Sequence, residues 1–160
     1  MSELYSNAFN FGSSVSTGVD PRTGQYSASL ELISLSPFNM KGATYPLTLS
    51  FSMFNSLNNG FGTGWTLSST RYDLQNRLFT MHSGKSFKSE AVVAGREVVL
   101  RDGKLKNVRL VSQSTDLYYV YHKDGTVETL QIRDFSSQLA LTTSVTFENG
   151  EIYDLSLIHI

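Results

Sequence analysis

Asn58-Asn-Gly-Phe-Gly-Thr-Gly-Trp-Thr-Leu67, running on to Arg71-Tyr-Asp73, is the stretch that decides how this chain is read. Glycine stands at the alternate positions Gly60, Gly62 and Gly64, directly before Trp65, the sole tryptophan. Glycine is required where backbone takes a positive φ or where another segment approaches closely. Three of them beside an indole therefore predict a tight turn folded against the ring. Thr66 and Leu67 then read as a strand that continues from Trp65 to Asp73. A phosphate loop is excluded: no Lys-Ser/Thr follows the glycines, their spacing is not that of a dinucleotide site, and strand formers stand where a helix N-terminus is needed.

Working outward, the same period of two recurs on both sides. Upstream, Asp20-Pro-Arg-Thr-Gly24 has the residues of a type I turn, with proline second and glycine last. Tyr26, Ala28, Leu30 and Leu32 then alternate with Gln25, Ser27, Ser29 and Glu31, predicting a half-buried strand. After a loop over residues 36–42, Leu47, Leu49, Phe51 and Met53 alternate with Thr48, Ser50 and Ser52 in a second strand of the same kind. Phe9 and Phe11 flank Asn10 and could dock as a further short strand.

Downstream, turn pairs fall at Asn59-Gly60, Ser83-Gly84, Asp102-Gly103, Asp124-Gly125 and Asn149-Gly150, roughly every 20 residues. That rhythm predicts successive hairpins. Val98-Val-Leu100 is expected to pair with residues 105–111, Leu117–Tyr121 with Thr126–Ile132, and Ser144–Phe147 with Glu151–Tyr153. Val92-Val-Ala94 and Leu139-Ala-Leu141 read as short strands, and no helix of three turns is expected. The predicted fold is all-β, with sequential antiparallel hairpins forming a curved sheet or an open sandwich. Residues 1–24 form a Ser/Asn/Gly-rich lead-in, 25–154 the hairpin domain, and 155–160 a separate tail.

The chain has 160 residues, 40% hydrophobic and 17% charged, enough apolar material for one core and too little charge for overall disorder. Net charge is −1 with no local cluster of Lys or Arg, which argues against a nucleic-acid partner. Cysteine is absent, so disulfides and thiolate metal sites are ruled out. Met1-Ser-Glu-Leu-Tyr-Ser6 does not read as a secretory signal, and no stretch has the roughly 18 apolar residues of a membrane helix. Secretion or surface display would follow a cytoplasmic stage and use a route without a classical signal peptide.

Few residues suggest chemistry. His82 and His122 are expected as solvated strand-edge side chains, and His159 lies in the tail. None has the spacing of a zinc pair. No Gly-x-Ser-x-Gly elbow occurs, so neither catalysis nor a cofactor is expected. Asp102, Asp124 and Asn149 are explained by turn chemistry. Arg71 and Arg77 flank Asp73, and an ion pair there would contribute only about 0.2–1 kcal/mol. Trp65 and Tyr72 have two readings, as core aromatics or as a stacking platform for a ligand such as a sugar.

Three pieces of the chain resemble the N-terminal part of Rhs-type (YD-repeat) proteins, relatives of the insecticidal toxin-complex shells. They are Val19-Asp-Pro-Arg-Thr-Gly-Gln-Tyr26, Gly60-Phe-Gly-Thr-Gly-Trp65 and Arg71-Tyr-Asp-Leu-Gln-Asn-Arg-Leu78, in the family's order and rough spacing. The resemblance covers about residues 9–88 and loosens towards Asp154. It makes Asp20, Pro21, Gly24, Gly60, Gly62, Gly64, Trp65, Tyr72 and Asp73 structural motif residues. It also implies a non-catalytic segment at the start of a hollow shell that encloses a C-terminal toxin. The partners would be the downstream repeats and toxin of the same polypeptide, and other toxin-complex or secretion components. The chain departs from the repeat pattern at Asn76, where glycine is usual, and no run of full Tyr-Asp repeats follows. The alternative expectation is a carbohydrate- or receptor-binding β module on a secreted or surface protein.

Leu155-Ser-Leu-Ile-His-Ile160 coincides with one reading frame of a transposon-end sequencing adapter. The expectation is that the natural frame continues beyond Asp154. An exposed edge strand ending in Leu and Ile would also invite aggregation.

Overall fold

The structure, a computed structural model, describes residues 15–38, 44–56, 61–101, 107–133, 136 and 138–155. All regular elements among them are antiparallel strands, in two sheets. The first sheet runs in chain order: β1 (Val15–Val19), β2 (Tyr26–Leu35), β3 (Tyr45–Ser52), β4 (Trp65–Leu67). The turn between β1 and β2 falls on the predicted residues, but the bond that closes it runs from Gly24 N to Asp20 O, one residue wider than a type I turn. The Asp20 carboxylate accepts from Arg22 N at 2.8 Å and the Asp20 carbonyl from Gly24 N at 2.7 Å, with Gly24 at φ 69°.

The second sheet contains β5 (Arg71–Asp73), β6 (Leu78–Thr80), β7 (Ser86–Lys88), β8 (Glu97–Val98), β9 (Val108–Ser112), β10 (Leu117–His122), β11 (Val127–Ile132), β12 (Leu139–Thr146) and β13 (Ile152–Asp154). Its order is β7-β6-β5-β12-β11-β10-β9-β8. The long β12 pairs with β11 along one side. On its other side it takes β5 at Leu139–Leu141 and β13 at Ser144–Thr146.

This sheet curls. Tyr72 on β5 and Tyr118 on β10 lie three strands apart, about 14 Å across a flat sheet, yet their ring centroids are 5.4 Å apart. The outer strands also meet. Ser89 and Leu100 form an antiparallel bridge, and Arg101 N donates to Lys88 O at 2.7 Å. The concave face buries Tyr72, Phe79, Val98, Leu110, Tyr118, Val120, Leu130, Ile132 and Ala140. A smaller core, formed by Leu35, Tyr45, Val145 and Phe147, joins the two sheets, with Leu155 packed beside it.

Most hairpins follow their turn signals. Leu117–Tyr121 pairs with Val127–Gln131, and Ser144–Thr146 with Ile152–Asp154. Four expectations are corrected. Trp65 to Asp73 is two strands in different sheets, because Ser68–Thr70 crosses between them. Val92–Ala94 is not a strand; it leads into a turn at Gly95, φ 79°. Val98 pairs with Leu110, but Leu100 turns away to Ser89 and closes the curl.

The alternation predicted for β2 breaks at a bulge between Glu31 and Ile33, leaving Leu32 50% and Ile33 54% exposed. An extra residue shifts the side-chain period by one, so the apolar set cannot stay on one face. The Asn59-Gly60 and Asp102-Gly103 turns, Phe9, Phe11 and residues 156–160 lie outside the described residues.

Candidate functional site

The glycine-tryptophan stretch forms the turn its composition requires. Gly62 and Gly64 have φ of 99° and 90°, and Trp65 N donates to Gly62 O at 3.3 Å. Gly64 is the more constrained of the two: a Cβ there would sit 2.5 Å from Phe51 Cε2. Gly60 lies outside the described residues. Trp65 is half-buried, its ring 5.4 Å from that of Phe51, which is in turn 6.1 Å from Tyr26. It is therefore neither a sealed core plug nor a free platform.

Tyr72, the second stacking candidate, is 0% exposed and bonds Ser89 Oγ at 2.7 Å. Its ring belongs to the core, and no ligand can stack on it. Asp73 does not pair with Arg71 or Arg77. Its carboxylate accepts instead from Asn76 N at 2.9 Å and Asn76 Nδ2 at 2.7 Å. Asn76, the departure from the repeat pattern, thus closes the β5–β6 turn, and the positive φ of 51° falls on Arg77.

The most heavily built polar site lies where the two sheets meet. Its centre is Glu128 on β11, 0% exposed. Oε2 accepts from the Tyr45 hydroxyl at 2.9 Å and lies 3.1 Å from Thr142 Oγ1. Oε1 accepts from Thr70 Oγ1 at 2.9 Å and from His122 Nε2 at 2.6 Å. His82 Nδ1 stands 3.7 Å from Oε1, too far for a hydrogen bond, and has no hydrogen-bond partner.

Thr70 organises the junction. Its N donates to Tyr45 Oη at 3.3 Å, its hydroxyl accepts from His82 N at 3.1 Å, and its carbonyl accepts from Thr142 Oγ1 at 2.8 Å. The crossing residue between the sheets therefore contacts β3, β11 and β12 together.

Charge follows from these contacts. Burial alone would push the Glu128 carboxyl up. The His122 hydrogen bond, the His82 contact, the attraction of His122 and the Thr70 hydroxyl outweigh it and hold the group at about 2. The Tyr45 phenol is raised well above its ordinary value, first by burial and then by the Glu128 charge.

His82 and His122 are thus corrected from solvated edge residues to partners of a buried carboxylate, with side chains 20% and 10% exposed. A missed signal existed. Glu128 shares the inward register of Leu130 and Ile132, while Thr129 and Gln131 alternate with them. A glutamate in an inward register requires buried donors.

Chemically the arrangement is a lock. Its carboxylate is ionised, saturated with donors and out of reach of solvent. Among the described residues no group of three His, Asp or Glu side chains is placed to hold a metal ion. No described helix is long and apolar enough to cross a membrane. No protein-family model matches the chain, and no curated protein matches it either.

Proposed function

We propose that the chain is a structural, non-catalytic segment that begins a β-hairpin shell of the Rhs or YD-repeat type, with a toxin enclosed further along the same polypeptide. The observation that carries this reading is the unfinished state of the first sheet. Among the described residues, strands β1 and β4 each have one partner. The face carrying Val15, Val19, Tyr26 and Met53 is exposed, and Leu30, Leu49, Phe51, Trp65 and Leu67 beside them are only half-buried. Unpaired edges and an uncovered apolar face fit a segment that continues into further β-structure.

On this reading the mechanism is mechanical, with hairpins added edge to edge. The partners are the downstream repeats and toxin, together with toxin-complex or secretion components. Export follows cytoplasmic synthesis by a route without a classical signal peptide. The direct test is a long sequencing read through the source locus beyond the codon for Asp154. Tyr-Asp repeats continuing in frame for hundreds of codons are expected; a stop codon soon after in genomic sequence would sink the proposal. Expressed alone, the segment is expected to be poorly soluble. A monodisperse, cooperatively melting monomer would count against the shell.

The half-exposed row Tyr26, Phe51 and Trp65 favours a second reading, a carbohydrate- or receptor-binding module on a secreted or surface protein. Saturable quenching or a shift of Trp65 emission with a panel of oligosaccharides would move this reading ahead.

A further inference from the structure

The apolar face of the first sheet continues the core between the sheets. Along β3, Tyr45 and Leu47 belong to that core, and Leu49 and Phe51 are the next two side chains on the same face. Pairing carries the face outward, from Leu49 through Leu30 to Val15, and Val19 stands opposite Tyr26 at its far end. It is most open on β1 and β2, where Val15 is 43%, Val19 61% and Tyr26 42% exposed. The opposite face, with Ser27, Ser29, Ser50 and Ser52, is polar.

We propose, independently of the shell reading, that residues 1–14 of the same chain fold back over the β1–β2 part of this face, with Phe11 over the Val15–Leu30 pair and Phe9 towards the Val19–Tyr26 pair. The free edges of β1 and β4, and the Trp65 end of the face, stay open to further strands. Residues 1–14 lie outside the described residues, and they run straight into Val15, the first residue of β1. Gly12-Ser-Ser14 supplies residues suited to reversing the chain. Phe9 and Phe11 flank Asn10, so both rings fall on one side of an extended segment, and Glu3 is the one charged side chain. Counted back from Gly12, Phe9 has about 10 Å of extended chain to use, enough to cross β1 and β2 but short of the roughly 14 Å from β1 to β4.

Size decides between this occupant and a second copy. Four strands by about five residues make a face of roughly 14 by 16 Å, well short of the about 800 Å² that each partner of a stable dimer buries. A tethered segment is spared most of the entropy lost when two molecules associate, so a patch of this size can hold it.

A double-mutant cycle in the dilute full chain, read by denaturant unfolding, tests the placement. Phe9→Ser and Tyr26→Ser should each raise the unfolding constant. Together they should raise it about fivefold less than the product of the two effects, the coupling of one aromatic contact. Additive effects overturn the proposal. Where a variant does not fold, a spin label decides. The chain has no cysteine, so Asn10→Cys carries a nitroxide at one position. The label should broaden the Val15 and Val19 methyl resonances more than the Trp65 indole resonance, and methyl signals left sharp overturn the proposal. Broadening that disappears on dilution, with a dimer in sedimentation, assigns the face to a second copy and overturns it too.

Discussion

The two sheets use similar alternating sequences and reach opposite degrees of burial. In the first, Tyr26, Leu30, Leu49, Phe51 and Trp65 alternate with serines and threonines, yet none of them is fully buried. In the second, Tyr72, Phe79, Tyr118, Val120 and Leu130 alternate in the same way and are sealed. Local pattern does not separate them. The second sheet is wide enough to curl its apolar face onto itself, whereas four strands cannot do so and need something laid over them. Alternation reports that a face is apolar; the number of strands decides whether the sheet can cover that face unaided.

Substitutions that act on one sheet and spare the other sharpen the contrast. Tyr72→Ala should cost the most, about 4 kcal/mol in denaturant unfolding, because it empties a sealed site at the centre of the curl. A loss near 1 kcal/mol would mean that the second sheet is as loosely packed as the first. Glu128→Gln should cost about 3 kcal/mol, since the amide cannot accept at both positions where Tyr45, Thr70 and His122 now donate.

The same lock predicts an acid limb. A carboxyl held at about 2, against 4.5 ordinarily, stabilises the fold above the unfolded value and loses that contribution as pH falls towards the folded one. Stability should therefore drop by about 3 kcal/mol between pH 4.5 and 2, and Glu128→Gln should flatten this limb. An unchanged acid limb in the variant would show that other carboxyls produce it.

Gly64→Ala should cost about 2 kcal/mol, from its positive φ and the Phe51 ring that the new methyl would meet. Trp65→Ala, on the uncovered face, should cost only about 1 kcal/mol despite the loss of the larger side chain. A cost approaching that of Tyr72→Ala would show that the first sheet is covered in solution. Glu97→Gln, which breaks an exposed pair with Arg109 at 2.9 Å, should change stability by less than about 0.5 kcal/mol.

The sequence was most informative where a rule acts over a few residues. Asp124-Gly125 and Asn149-Gly150 announce their hairpins, and both glycines adopt φ of 86°. Gly62 and Gly64 likewise take the positive φ that their placement before Trp65 suggests. Legibility fails where the cause lies far along the chain. The bulge at Leu32 follows from how β2 meets β3, and the crossing at Ser68–Thr70 depends on which sheet each side joins. His82 and His122 look like edge residues until Glu128 is placed between them. Tyr45, 83 positions from Glu128, carries no local mark of its role.

The order of the lock's parts along the chain also bears on synthesis. Tyr45, Thr70, His82 and His122 all leave the ribosome before Glu128, and Thr142 follows it. The nascent chain therefore carries most of the donors before it has the acceptor that orients them. The first sheet can pair its strands early, but it can be fastened to the second only after β11 has emerged and its glutamate has turned inward. A translational pause before that point would leave the two sheets tethered by Ser68–Thr70 alone.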